Sequence, residues 1–156
     1  MNPKRPSESY TEQVQILTQG ALNGFKRLFG GQLMEWIDVV AAVAARRHSS
    51  RNVTTVAVDN LQFSGPARAN DVVLLTARIT YVGRTSMEVC VKTYVEALDG
   101  ERSLINTAYL VMVALDEFER PTPVPALIPE TEDEKEAWLA GEKRNKLRKA
   151  RSKENY

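Results

Sequence analysis

The sequence predicts an α+β domain: an antiparallel β-sheet wrapped around one long central helix, with a charged helix at the C-terminus. Three observations predict it. The stretch from Phe29 to His48 reads as a helix opened by two glycines and apolar around most of its circumference. Between Val53 and Leu115, four strand-like runs are separated by short turns, which join antiparallel neighbours. From Thr131 to Lys149 the chain is highly charged, with Thr131 placed as an N-cap and acids in the first turn.

The elements follow in order. Residues 1–9 form a flexible N-terminal arm, residues 10–129 the folded domain, and residues 130–156 a C-terminal helix and basic tail. Tyr10 to Thr18 is a short strand with Val14 and Ile16 on one face. A loop with Asn23-Gly24, Lys26 and Arg27 leads into the helix, which spans about Gly30 to Arg47. From Val53 to Phe63 the apolar phase slips around Asp59-Asn60, which predicts a bulge. Val73 to Tyr81 and Met87 to Val95 alternate cleanly, with Gly83-Arg84-Thr85-Ser86 as the turn between them. Leu98-Asp99-Gly100-Glu101 is a hairpin signal. Leu104 to Leu115 is apolar on both faces and so reads as an interior strand. Arg120 to Pro129 is proline-rich and extended.

Composition narrows the function. A chain of 156 residues suits one domain with a sizeable core. A net charge of +1 gives no global pull toward nucleic acid or membrane. Met1 to Ser9 has no apolar signal-peptide core, and no apolar run approaches bilayer length, so a cytoplasmic protein is expected. Cys90 is the only cysteine and His48 the only histidine. Intrachain disulfides, cysteine-based zinc sites and multi-histidine metal sites are thereby excluded.

The conflict within the long helix carries the functional argument. A helix this apolar expects burial, yet Asp38 stands at its middle. A buried acid is expensive unless paired or put to use. On a helical wheel with Leu33 at zero, Asp38 falls at about 140°, beside the polar stripe of Glu35 and Arg46 at about 200°. Its neighbours Met34, Ala41 and Ala45 are small or flexible and leave room for a ligand. Two readings stand. Asp38 pairs with Arg46, Arg47 or a sheet residue, or it is a general base or nucleophile made more basic by desolvation. For the second, Gly30 and Gly31 supply helix-start N–H groups for an oxyanion, and Asn23 lies just upstream to orient a water or a carbonyl. Gly30 and Asp38, eight residues apart, are separated by about 12 Å along the axis. One carbonyl cannot touch both in the same protomer, so a site using both requires two antiparallel helices from two subunits.

Asn23, Gly30-Gly31-Gln32-Leu33-Met34 and Asp38, followed by Val53-Thr54-Thr55-Val56, Phe63, Pro66 and Asp71, resemble the acyl-CoA thioesterases of the hotdog fold. Gly83-Arg84-Thr85-Ser86 and Val113-Ala114-Leu115-Asp116 match as well, and the resemblance covers roughly Thr11 to Pro125. It implies hydrolysis of acyl-CoA to a free acid and coenzyme A, with active sites shared across a dimer and three dimers forming a hexamer. It places the catalytic aspartate on Asp38, the asparagine on Asn23 and the helix-start N–H on Gly30 or Gly31. No cofactor is implied, coenzyme A being part of substrate and product. Relatives often carry glycine where Lys26 and Asn70 stand, and the change at Lys26 bears on substrate preference.

The other features carry two readings each. Gly83-Arg84-Thr85-Ser86 is either a plain hairpin or a contact for the pantetheine arm or phosphates, with Arg84 supplying charge. Arg68 is a further phosphate candidate. The tail cations Lys143, Arg144, Lys146, Arg148, Lys149, Arg151 and Lys153 form a solvated, partly frayed helix end or bind the nucleotide 3′-phosphate. Little aromatic interleaving argues against nucleic acid. Cys90 is read as a small core residue, and His48 as a favourable cation at a helix C-terminus. The alternative from another class is a non-catalytic acyl-CoA-binding hotdog module, a sensor or scaffold. A hydratase is disfavoured because its catalytic histidine belongs to a different local pattern.

Overall fold

The computed structural model describes residues 1–155. Five strands, β1 (Thr11–Ile16), β2 (Asn52–Phe63), β3 (Val72–Val82), β4 (Ser86–Glu96) and β5 (Arg102–Leu115), form one antiparallel sheet. Its order is β1-β3-β4-β5-β2. The helix α1 (Gly30–Ser49) lies against one face, and α2 (Glu132–Glu154) against the other. The α+β arrangement expected from the sequence is the one found.

The core is the seam between α1 and the sheet. Leu33, Ile37, Val40, Ala41, Ala44 and Ala45 repeat at helical spacing and are buried. They meet Leu75, Ala77 and Ile79 of β3, Met87, Val89 and Val91 of β4, and Ala108, Leu110 and Met112 of β5, all buried. Each large apolar side chain so buried contributes about 1.5–3 kcal/mol. Three alanines on the helix let the backbone approach the curved sheet. The opposite face of α1 stays open: Met34 and Val39 are exposed, and so is Asp38. Complete burial of this helix, as its composition suggests, is therefore not supplied by a single chain.

The strands form where expected, but β2 and β3 are not the neighbours that their short connection suggests: β2 crosses over to pair with β5 at the far edge of the sheet. β5 is interior, and β2 carries the expected register shift between Asp59 and Gln62, with Asn60 at φ 53°, and a second shift between Thr55 and Ala57. Val14 and Ile16 do share a face, but it is the outer one, and they are 60% and 66% exposed. The register sets Gln13 opposite Leu75 and Gln15 opposite Val73, which turns those residues inward instead.

The N-terminal arm is tied down rather than loose. Lys4 N donates to Ala126 O at 3.0 Å and Lys4 O accepts from Ile128 N at 2.8 Å, while Pro6 and Ser9 are buried. Lys4 Nζ also donates to Arg47 O at 2.9 Å, which places a cation on the α1 C-terminus. His48 does not have that role. It is fully buried, its Nε2 is 2.8 Å from Pro125 O, and burial pushes its pKa down, so the ring is held neutral.

The C-terminal helix begins at Thr131 as expected, and the structure adds a reciprocal bond that makes the cap a capping box. Thr131 Oγ1 accepts from Glu134 N at 3.1 Å, and Glu134 Oε1 accepts from Thr131 N at 3.0 Å. It continues past the frayed end envisaged for the tail because its arginines have partners. Arg144 donates to both carboxylate oxygens of Glu88, at 2.7 and 3.0 Å, and stacks 3.7 Å over the Tyr109 ring. Arg148 reaches Glu88 Oε2 at 3.1 Å. Thr80 Oγ1 donates to Glu88 Oε1 at 2.7 Å. Burial alone would raise the Glu88 carboxyl, but the bonds from Arg144 and Thr80 and the charge of Arg148 outweigh it and hold the group below its usual range. Gly141 permits the close approach: a Cβ there would lie 2.7 Å from Tyr81 Cβ and 2.9 Å from Glu88 Oε1.

Candidate active site

Asp38 meets a partner that spacing alone does not reveal. Thr55 Oγ1 donates to Asp38 Oδ1 at 2.6 Å, a short charge-assisted bond from β2 to the middle of α1. The same hydroxyl lies 3.3 Å from Met112 Sδ. Together Asp38 and Thr55 line a cleft of about 410 Å³ whose walls include Gly31, Met34, Val58 and Leu61. The cleft is thus a mostly apolar space with two carboxylates, Asp38 and Glu35, and the Thr55 hydroxyl at its side. That is a composition suited to an apolar chain carrying a reactive polar end. Of the partners expected for Asp38 it is the sheet residue that is found, Thr55 of β2; Arg47 turns instead to Tyr10 O and Thr11 Oγ1.

The start of α1 is open. Phe29 occupies the N-cap in extended conformation and makes no side-chain cap bond. The first N–H groups of a helix have no intrahelical acceptor, so those of the Gly30-Gly31 turn carry the positive end of the dipole. A Cβ on Gly31 would stand 2.7 Å from the Phe29 ring, so glycine there spares the ring a displacement.

Asn23 is half-buried in a second cleft of about 310 Å³, with Arg27, Leu28, Phe63 and Ala67 on its walls. Its Oδ1 accepts from Phe25 N at 2.9 Å and Arg27 N at 3.3 Å. The oxygen therefore braces the loop, which leaves the Nδ2 group as the donor for a ligand. Lys26 closes this turn at φ 59°, and Asn70 sits at φ 70°. Both are left-handed positions that favour glycine, the residue the resemblance associates with them.

The remaining candidates lie apart from Asp38. The Gly83–Ser86 turn is pinned by Gly83 N to Ser86 O, Ala114 N to Thr85 O and Val124 N to Arg84 O. Val124 adjoins Pro125, the partner of His48, so this turn belongs to the C-terminal end of α1. Arg68 is exposed on the loop beside Ala67, with its N–H bound to Asp71 Oδ2 at 2.8 Å. One chain thus brings Gly31, Asp38 and Thr55 to one cleft, sets Asn23 in another, and leaves Gly83–Ser86 at the far end. Among the described residues, no group of His, Cys, Asp and Glu is arranged to hold a metal.

One long helix cradled by a five-stranded antiparallel sheet, with an acid at mid-helix and glycines at its start, is the hotdog arrangement of thioesterases. The thioesterase superfamily model matches residues 25–98. The acyl-CoA hydrolase of Staphylococcus aureus, solved with butyryl coenzyme A, coenzyme A and coenzyme A disulfide, is 32% identical, with a TM-score of 0.93 over 98% of this chain and 94% of that one. A hexameric acyl-CoA thioesterase is 35% identical, with a TM-score of 0.93 over 97% of this chain and 98% of its own. The uncharacterised acyl-CoA thioester hydrolase YkhA of Bacillus subtilis is 45% identical over 113 residues, 72% of this chain. This chain belongs to the hotdog-fold acyl-CoA thioester hydrolases. It spans 66% of the length of YkhA and 41% of the mammalian cytosolic acyl coenzyme A thioester hydrolases it also matches.

The staphylococcal enzyme has also been solved with an asparagine, an aspartate or a threonine replaced by alanine. Those three residues stand 15 and 17 positions apart, the same spacing as Asn23, Asp38 and Thr55. The sequence reading quoted Thr54 and Thr55 within a motif but assigned neither a role. The register that turns Thr55 toward Asp38 is a property of the folded sheet.

Proposed function

We propose that this chain hydrolyses acyl-CoA thioesters to a free carboxylic acid and coenzyme A, with Asp38 as base or nucleophile. The observation that carries the reading is the Asp38–Thr55 pair beside an apolar cleft. The thioester carbonyl oxygen accepts the N–H of Gly30 or Gly31. Asp38 of a facing subunit takes a proton from water as that water attacks the carbonyl carbon; alternatively the carboxylate attacks and water then opens the anhydride. In either route the carbon–sulfur bond breaks and coenzyme A leaves as a thiolate that takes up a proton. Asn23 Nδ2 positions the water or the carbonyl, and Thr55 fixes the carboxylate.

The two-subunit site is supported by what one chain leaves open. β2 is an edge strand, and Met34, Val39, Val56 and Val58 are exposed on or beside it. A dimer joined there brings the helix start of one subunit toward Asp38 of the other, and three dimers make the proposed hexamer. Gly83-Arg84-Thr85-Ser86 and Arg68 then serve the pantetheine arm and phosphates of coenzyme A. We place the protein in the cytoplasm, acting on free acyl-CoA without cofactor, metal, membrane or nucleic acid; no described helix is long and apolar enough to cross a membrane.

The test is release of free thiol from a chain-length series of acyl-CoAs, with Asp38→Asn alongside. Release by the native protein and its loss in the variant is the expected result. Binding of acyl-CoA with no release from any member of the series would reassign the chain as a binding module.

A further inference from the structure

We infer that Asp59 is a positioning residue for the acyl cleft, and that the C-terminal helix sets one wall of that cleft through it. The two catalytic-cleft residues nearest Asp59 in sequence are Val58 and Leu61, which line the same space as Asp38 and Thr55. Between them the β2–β5 register shifts, and Asn60 adopts φ 53°. A bulge at this point bends the strand and decides where Val58 and Leu61 stand. Within one chain β2 has β5 as its neighbour, so the subunit's own sheet supports the bulge from one side.

The carboxylate of Asp59 supplies the missing support. Its Oδ1 accepts from Asn60 N at 3.1 Å and so closes the bulge upon itself. Its Oδ2 accepts from Arg151 Nη2 at 2.9 Å and lies 3.4 Å from Arg148 Nη1. Arg148 in turn holds Glu88, which Arg144 and Thr80 also grip. Both side chains of the Arg148–Asp59 pair are 13% exposed, which protects the contact from screening by salt. The path is continuous: α2 is anchored on β4 at Glu88, extends across the sheet, and ends on the bulge at Asp59. Asp59 itself faces α2 and lines no part of the cleft with Asp38.

The inference rests on the thioesterase reading, in which the apolar cleft takes the acyl chain. A loosened wall weakens binding of chains long enough to reach Val58 and Leu61, while the attack on the carbonyl beside Asp38 is unaffected. Asp59→Asn retains an oxygen for Asn60 N but removes the charge that α2 holds. Arg148→Gln removes from the other side one of the two arginines on Asp59, together with the link from Asp59 to Glu88, and Asp59→Glu preserves the charge.

The experiment measures KM and kcat from acetyl-CoA to long-chain acyl-CoA, together with amide hydrogen exchange across residues 58–62. For Asp59→Asn and Arg148→Gln we expect KM to rise at least fivefold for long chains and stay within twofold for acetyl-CoA, with kcat unchanged on acetyl-CoA. Amides 58–62 exchange about tenfold faster in both variants and at the native rate in Asp59→Glu. A loss independent of chain length, or native exchange rates in both variants, overturns the inference. If the native protein hydrolyses no acyl-CoA, the thioesterase reading fails, and the exchange rates alone decide whether α2 holds the bulge.

Discussion

Thr55 and Asp38 are joined by a 2.6 Å hydrogen bond that ties an edge strand to the middle of the central helix. The bond fixes the rotamer of a carboxylate that is otherwise exposed. It also occupies Oδ1, so that in the proposed mechanism Oδ2 is the oxygen that meets the water or the carbonyl carbon. Replacing Thr55 with Ala is therefore expected to lower kcat about tenfold with little change in KM, whereas Thr55→Ser keeps most of the activity. Asp38→Ala is expected to lower kcat by about 10²–10⁴. Steady-state thiol release on one good substrate measures all three. Equal kcat in Thr55→Ala and the native protein would dismiss the orienting role.

Asn23 braces its loop with one atom and, in the proposed mechanism, serves the substrate with another. The oxygen braces the loop through Phe25 N and Arg27 N, and the Nδ2 group is the donor left for substrate. Asn23→Asp preserves the first and removes the second. It is expected to reduce kcat by about 10²-fold, the scale of a lost oxyanion donor, with a melting temperature close to native. Asn23→Ala loses both and lowers the melting temperature too. Thermal melts beside kinetics separate the two contributions.

Lys26 at φ 59° is a strained residue in the same loop. A non-glycine residue in the left-handed region costs about 1 kcal/mol. Lys26→Gly is expected to recover most of that, raising the melting temperature by about 2–4 °C for a chain of this size. A melting temperature at or below native would show that the lysine side chain contributes an offsetting contact.

Acid destabilises the fold in two windows. His48 has a folded pKa below its ordinary 6.5, so below pH 6.5 the unfolded chain binds the proton that the buried ring refuses. Stability is full above 6.5 and falls as the pH drops, with a limiting slope of about 1.4 kcal/mol per unit. Glu88 has a folded pKa below its ordinary 4.5, so its contribution is full above 4.5 and is lost as the pH falls through the folded value. Urea unfolding from pH 7 to pH 3.5 reads both. His48→Gln is expected to flatten the upper window. Glu88→Gln leaves Arg144 without its carboxylate and Arg148 with Asp59 alone, and costs about 3 kcal/mol at neutral pH. An upper window that persists in His48→Gln would assign it to another group.

Most residues of the proposed site attract notice in the sequence before folding is considered. Gly30-Gly31, Asp38 and Asn23 stand out because each is a residue type at odds with its surroundings or suited to a special backbone. Thr55 was not legible as a partner, since two adjacent threonines point to opposite faces and only the register selects one. Glu88 was hidden by its own strand pattern. It occupies an outward position between Met87 and Val89, where a carboxylate ordinarily meets water. Its burial comes from α2, whose arginines approach only because Gly141 admits the helix so closely.

Local sequence sets the α+β class, the extent of the central helix, the bulge near Asp59 and the N-cap at Thr131. These are local matters: period, glycine placement and hydrogen bonds within a few residues set them. The tertiary structure alone decided that Asp38 is held by Thr55, that His48 is neutral and the cation on the α1 C-terminus is Lys4, and that the arginines of the tail close on Glu88 and Asp59. Those pairings join residues 17 to 92 positions apart. They depend on strand register and on the path of α2 across the sheet, and no periodicity along the chain encodes either.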